Sequence, residues 1–246
     1  MNHSGSFLPP YLSTRTLAFC LSALLLTTAA TFSVSAGFEI SEVQLLVGVM
    51  NEGTIDAVDR YAHGLLRDYL ATARVGLVSA TALLFGIWLF RSRINCRALG
   101  ARRFQYSRKW ALLGFAIPPL NLIRPLQVVS EVWRASDPAT QSPLDWKTVA
   151  VPRFLRIWWW MLVGSMGVEL LGMALTTTNG VTLFQLTGAR GIGAVADLGA
   201  TIAAVLGYLV VSGISAAQDR KWAILSGTAD LPETVLLGDP GIPALL

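Results

Sequence analysis

Four long apolar runs punctuate the chain, at 16–38, 70–90, 157–177 and 192–216. Each is close to the ~20 residues that a helix needs to cross a hydrocarbon core. The pattern predicts an all-α integral membrane protein with four transmembrane helices. Between the first two runs the period changes. Val43, Leu46, Val47 and Met50 share one helical face, and Ile55, Val58, Ala62, Leu65 and Tyr69 share another. Two external amphipathic helices broken near Gly53 are expected there, in an acidic stretch carrying Glu39, Glu42, Glu52, Asp56, Asp59 and Asp68. The second spanning helix is expected to run on to Leu99, with Gly100 as its stop.

A fifth apolar stretch, about 110–134, is different. Its apolar residues contribute roughly −0.5 kcal/mol each on an insertion scale, and Arg124 near its middle costs about +3 kcal/mol. Asn121, Gln127, Glu131 and the Pro118-Pro119 pair bring the sum close to zero. Leu122, Leu126, Val129 and Trp133 fall on one face, with Arg124, Gln127, Glu131 and Arg134 on another. This predicts a Pro-broken re-entrant or interfacial helix that enters and leaves on one side. Ser136-Asp137-Pro138 ends it, Ser142-Pro143 with Asp145 reads as a new helix start, and Pro152 opens the third span. Trp158, Trp159 and Trp160 at that entrance fit an interfacial aromatic belt.

Composition agrees with a membrane protein. Of the 246 residues 53% are hydrophobic and 14% charged, whereas soluble domains carry about 25% charged residues. The net charge of +4 comes from basic residues beside apolar runs. Arg91, Arg93, Arg97, Arg102, Arg103, Arg108 and Lys109 have no acidic residue among them. They read as an orientation signal or a grip on anionic lipid, not as a nucleic-acid surface. The expected location is a bacterial inner membrane, multi-pass, with both termini cytoplasmic. The first run is longer than a usual signal-peptide core, so a retained span is expected rather than cleavage near Val34-Ser35-Ala36. Residues 1–225 read as a single membrane domain and 226–246 as a mobile cytoplasmic tail. Cys20 and Cys96 are expected to be free thiols.

No catalytic signature occurs: no His-Glu-x-x-His, no Gly-x-Ser-x-Gly and no phosphate loop with its lysine. The only histidines, His3 and His63, lie outside the four runs. The chain is therefore expected not to be an enzyme, with no catalytic residue, metal or cofactor. Gly188–Gly193 is glycine-rich but follows no strand. Two constellations carry possible function. Arg74, Glu169 and Asp197 lie inside three different spans, on the polar stripes Arg74-Thr81, Ser165-Glu169-Thr176 and Asp197-Thr201-Tyr208-Ser212. Intramembrane charges usually face a bundle interior, so a solvated cavity or a proton-linked site is one reading. An ion pair holding the bundle together is the other. The second constellation, Asn95, Arg97, Asn121, Arg124, Glu131 and Arg134, would offer arginines to phosphate head groups or to a partner. Structurally it would instead pair Glu131 with Arg97 or Arg124. Ala196, Ala200 and Ala204, with Gly199, Ala203 and Gly207, permit close helix packing within the chain or in a homo-oligomer.

The run Asn95-Cys96-Arg97-Ala98-Leu99-Gly100 is followed by Trp110, Pro118-Pro119-Leu120-Asn121-Leu122, Arg124-Pro125 and Glu131-Val132-Trp133-Arg134-Ala135-Ser136. In this order and spacing, over about fifty residues, the chain resembles domain-of-unknown-function family 4328. The resemblance implies a bacterial multi-pass membrane protein without an established activity; the acidic stretch before Leu70 has no counterpart in that pattern. The expected function is binding of membrane lipid head groups or a protein partner by the cytoplasmic-face segment. The alternative is a small channel or permease using Arg74, Glu169 and Asp197.

Overall fold

The computed structural model describes residues 10–53, 57–106, 122–140, 144–177 and 180–228. Among them are five α-helices and no strand: α1 (Arg15–Glu52), α2 (Ala57–Ala98), α3 (Arg124–Ala135), α4 (Arg153–Thr176) and α5 (Leu183–Leu225). A 3-10 turn at Asp145–Thr148 lies where a helix start is expected. Helices α1, α2, α4 and α5 are long and apolar enough to cross a membrane. The first half of the proline-broken segment, including Pro118, Pro119 and Asn121, lies outside the described residues, as does the tail beyond Thr228.

Glycines set the ends. Gly53 (φ +77°) follows α1, where the break is expected. Gly100 (φ +87°) ends α2: its N–H bonds to the Arg97 carbonyl while the Ala101 N–H reaches back to Cys96. This 6→1, 5→2 pairing needs a left-handed residue at the turn. Gly227 ends α5 in the same way, through Gly227 to Ile224 and Thr228 to Ala223.

The amphipathic stretches on either side of Gly53 are helical, but they are continuous with the spans. Their polarity is also inverted. Glu39 and Glu42 are buried, and Ile40, Val47, Met50, Leu65, Leu66 and Tyr69 are exposed. In water that arrangement would be costly. Against lipid it is the favourable one, since apolar side chains face hydrocarbon and charges pair inside. Exposed Phe19, Val34, Val75, Leu83, Leu170, Met173, Val195 and Ile202 continue the apolar exterior along all four long helices.

The chain divides into two compact units: Met1–Ala18, Gly86–Val151 and Ser212–Leu246 form the first, Phe19–Phe85 and Pro152–Val211 the second. The core of the first holds Trp88, Leu89, Val128, Val129, Val132, Trp146 and Ile214; α3 packs on the 3-10 turn. The core of the second holds Leu21, Leu25, Phe32, Phe85, Leu155, Trp158, Trp159 and the small face of α5. The aromatic belt expected at Trp158–Trp160 is only partly realised. Trp160 is 55% exposed, but Trp158 and Trp159 are buried, Trp158 with its ring 5.7 Å from that of Phe85. Gly207 of α5 makes room for Trp158. A Cβ on Gly207 would sit 3.1 Å from Trp158 Nε1 and 3.4 Å from Leu25 Cδ2, whereas one on Gly164 of α4 would meet nothing.

Gly207→Leu is therefore expected to overpack this contact and cost about 1–3 kcal/mol. Gly164→Ala should be neutral or gain up to about 1 kcal/mol from helix propensity. Thermal unfolding of the two variants in detergent, against the parent chain, checks the contrast.

Candidate functional site

In the second unit the sequence-predicted trio comes together. Arg74 of α2 places Nη2 2.8 Å from Asp197 Oδ1 of α5 and 3.2 Å from Glu169 Oε1 of α4. Its Nη1 donates to Ser35 Oγ of α1 at 3.3 Å, and its guanidinium lies 5.0 Å from the Phe32 ring centre. Asp197 is fully buried (0% exposed). Four helices thus fix one arginine. The neighbouring stripe residues also pair, Thr28 with Thr81 at 3.2 Å and Ser33 with Thr201 at 3.4 Å.

Beside the trio stands a second ionic cluster that sequence reasoning missed. Glu42 of α1, 2% exposed, accepts both Nε and Nη2 of Arg67 from α2. Arg190 of α5 lies 3.1 Å from Glu42 and 3.5 Å from Glu39. His63 Nδ1 is 4.0 Å from Glu42 Oε1, and its ring stacks on Phe38 at 5.4 Å. The available signal was the i, i+3 spacing of Glu39 and Glu42 in register with the apolar run before them, which puts both on one face of a continuing helix. The glycine-rich stretch has its role here too. A Cβ on Gly193 would come 3.4 Å from the Glu39 carboxyl carbon, so glycine admits that side chain.

The two clusters border one pocket of about 270 Å³. Glu39, Arg67, Arg74, Glu169 and Arg190 line it, with Phe38, Leu70 and Met173 among its apolar walls. Glu42 and Asp197 hold the arginines from outside the lining. Among the described residues no group of three His, Cys, Asp or Glu side chains is arranged for a metal ion.

The other predicted constellation belongs to the first unit, and much of it is spent on internal ties. Asn95, buried, donates to the Leu12 carbonyl at 2.8 Å and accepts the Leu12 N–H at 3.2 Å. Gln218 extends this network, donating to the Ser92 carbonyl at 2.9 Å and to Ser136 Oγ at 3.0 Å. Glu131 pairs with neither Arg97 nor Arg124. Its Oε1 accepts the Gln105 N–H at 2.9 Å, and its Oε2 lies 4.0 Å from Arg93. Arg93, 1% exposed, stacks 3.3 Å over the Phe104 ring and donates to the Tyr106 carbonyl at 2.7 Å. An arginine counted as orientation signal is thus the pin that folds the segment after α2 back on itself. Arg124 donates to Tyr106 Oη at 2.8 Å and to Gln127 Oε1 at 3.1 Å. Arg134 is half-buried and Arg97 is exposed. Asn121 lies outside the described residues.

Two expectations follow. Arg74→Met strands the Asp197 carboxylate, and breaking one side of a buried pair typically costs about 3–5 kcal/mol. Arg74→Lys should recover only part of that, because an ammonium cannot reproduce the forked contact; unfolding midpoints in detergent rank the three chains. The second concerns pH. Burial pushes the Glu131 carboxyl above its ordinary 4.5, against the Gln105 N–H and Arg93. The folded chain then holds this proton more tightly than the unfolded chain. The stability this group contributes is fully present below about 4.5 and is lost as pH rises through the raised folded value. Unfolding curves over a pH series should show that decline in the parent and a flatter profile in Glu131→Gln.

No curated protein and no solved structure matches the chain. One family model does, over residues 53–216, which takes in the whole of α2, α3 and α4 and most of α5. With four helices of spanning length and that match, this multi-pass membrane protein belongs to the family described as domain of unknown function DUF4328.

Proposed function

We propose that the chain is a non-enzymatic membrane protein that binds a small polar solute among its helices and lets it pass, as a small channel or permease. The observation that carries this reading is the convergence of seven charged side chains, from all four long helices, around one pocket of about 270 Å³. A bundle needing only a structural tie would be served by Arg74 and Asp197 alone. Charges left beside open volume in an apolar surround are costly to keep, and such residues usually mark a solute or ion path.

The basic residues Arg91–Lys109 favour placing the C-terminal end of α2 in the cytoplasm of a bacterial inner membrane, with both chain termini on that side. Arg74 lies 17 residues before Arg91, about 25 Å along the helix at 1.5 Å per residue. On this orientation the pocket belongs to the outer half of the membrane.

A second reading has its own observation. In the first unit Arg97, Arg102, Arg103 and Lys147 are exposed, and so are Leu122, Ile123 and Leu144. A surface both basic and apolar suits anionic lipid head groups at the cytoplasmic face. Arg124 and Arg134 would add to it from α3.

Proteoliposomes holding the pure chain, given gradients of protons, potassium, chloride and methylammonium, should pass at least one of them faster than empty vesicles. Glu169→Gln should change that rate several-fold. Equal rates in empty and loaded vesicles would count against the pathway. Native mass spectrometry of the same preparation reads the lipid surface separately, since Arg97→Gln with Arg102→Gln should release bound anionic lipid.

A further inference from the structure

The charges around the pocket do not balance. Arg67 answers Glu42, Arg190 answers Glu42 and Glu39, and Arg74 answers Asp197 and Glu169. Among the described residues four carboxylates share three guanidinium groups, which leaves one negative charge with His63 counted as neutral. Both Asp197 oxygens lack a hydrogen-bond partner among the described residues, but Asp197 is paired with Arg74 at 2.8 Å and lies outside the pocket lining, so the shortfall that faces the pocket is that of Glu39. Arg190 lies closer to Glu42, at 3.1 Å, than to Glu39 Oε1, at 3.5 Å. Glu39 Oε2 is buried and has no hydrogen-bond partner among the described residues. The side chain is only 10% exposed, yet it lines the pocket.

An occupant that completes this site carries one positive charge, donates hydrogen bonds and presents an apolar body. The charge answers the surplus carboxylate. The N–H donors answer the Glu39 carboxylate, whose Oε2 is a buried acceptor of the kind native interiors rarely leave unmet. The apolar body answers Phe38, Leu70, Ala71, Met173 and Leu186 in the walls, and the Phe38 ring adds an electron-rich face for a cation. A bare divalent ion finds no set of three ligating side chains among the described residues. An anion would have to draw a guanidinium away from its carboxylate and would deepen the imbalance.

We infer that the pocket binds a small primary ammonium ion, R–NH₃⁺, whose N–H groups donate to the Glu39 carboxylate while R packs against the apolar walls. This names the solute class for the pocket proposed above and rests on that reading. Nothing is transferred but the ion itself.

The test uses the full chain in lipid nanodiscs at neutral pH, titrated calorimetrically with butylammonium, butyrate and inorganic phosphate. Butylammonium should bind saturably and at least about tenfold tighter than either anion. Glu39→Gln should weaken it about tenfold or more, Glu39→Asp should retain part of the affinity, and Arg220→Ala, an exposed position outside the pocket lining, should leave it unchanged. Butyrate or phosphate binding tighter than butylammonium overturns the ammonium assignment while leaving the pocket a solute site. Butylammonium binding that Glu39→Gln leaves intact overturns the role of Glu39. Binding of none of the three overturns the inference, and with it, if the proteoliposomes also pass nothing, the solute-site reading. Should Glu39→Gln fail to fold, the comparison of the three probes on the parent chain still decides.

Discussion

A guanidinium group flanked by two carboxylates, within helices whose outer surface is apolar, is the constraint that orders the second unit. Asp197 has no exposed surface, and a buried carboxylate without a counter-ion is among the most expensive groups a protein can contain. Arg74 relieves it from 2.8 Å, and Glu169 and Ser35 take up the rest of the guanidinium. Since the four groups come from four helices, meeting this one requirement fixes the rotation of each helix about its own axis. The outward face of each helix is then necessarily the apolar one.

That logic continues toward Gly53. Past the end of the purely apolar run, α1 goes on as a helix because Glu39 and Glu42 find Arg67 and Arg190 on its inner face. A soluble helix buries its apolar face and exposes its charges; here the exposed residues are Ile40, Val47 and Met50. The same inversion holds on α2, where Arg67 and Arg74 point to carboxylates and Leu65, Leu66 and Tyr69 point away. Pocket and exterior are two sides of one pattern.

This explains what was legible in the sequence. Arg74, Glu169 and Asp197 stand alone inside long apolar runs, where polar stripes at helical spacing are hard to mistake, and the structure brings all three together. Glu39, Glu42 and Arg67 escape the sequence reading because a cluster of charges after an apolar run suggests amphipathic helices on the outer surface, and Arg190 because it falls in a glycine-rich stretch. The one-sidedness of the charge cluster becomes visible only when the helical register is carried through. For Glu131 the sequence points to the wrong partners, Arg97 or Arg124, for the opposite reason. Periodicity put it on the polar face of α3, but its partners, the Gln105 N–H and Arg93, come from a non-helical return after Gly100 that no periodicity describes. Trp158 and Trp159 look interfacial as part of a tryptophan run, but Gly207 leaves a recess where Trp158 packs.

The two polar groupings differ in their balance of charge and in what lies beside them. In the first unit Asn95 and Gln218 close on Leu12, Ser92 and Ser136, and Arg93 is shared among Phe104, Tyr106 and Glu131. These contacts fix chain segments against one another. In the second unit the carboxylates among the described residues outnumber the arginines, and open volume lies next to Glu39, whose Oε2 has no hydrogen-bond partner. A grouping selected only to hold helices together gains nothing from a surplus carboxylate, since each unmatched charge weakens the fold it is meant to secure. An unmet charge beside a pocket of molecular size is the arrangement expected of a site whose missing partner arrives from outside the chain.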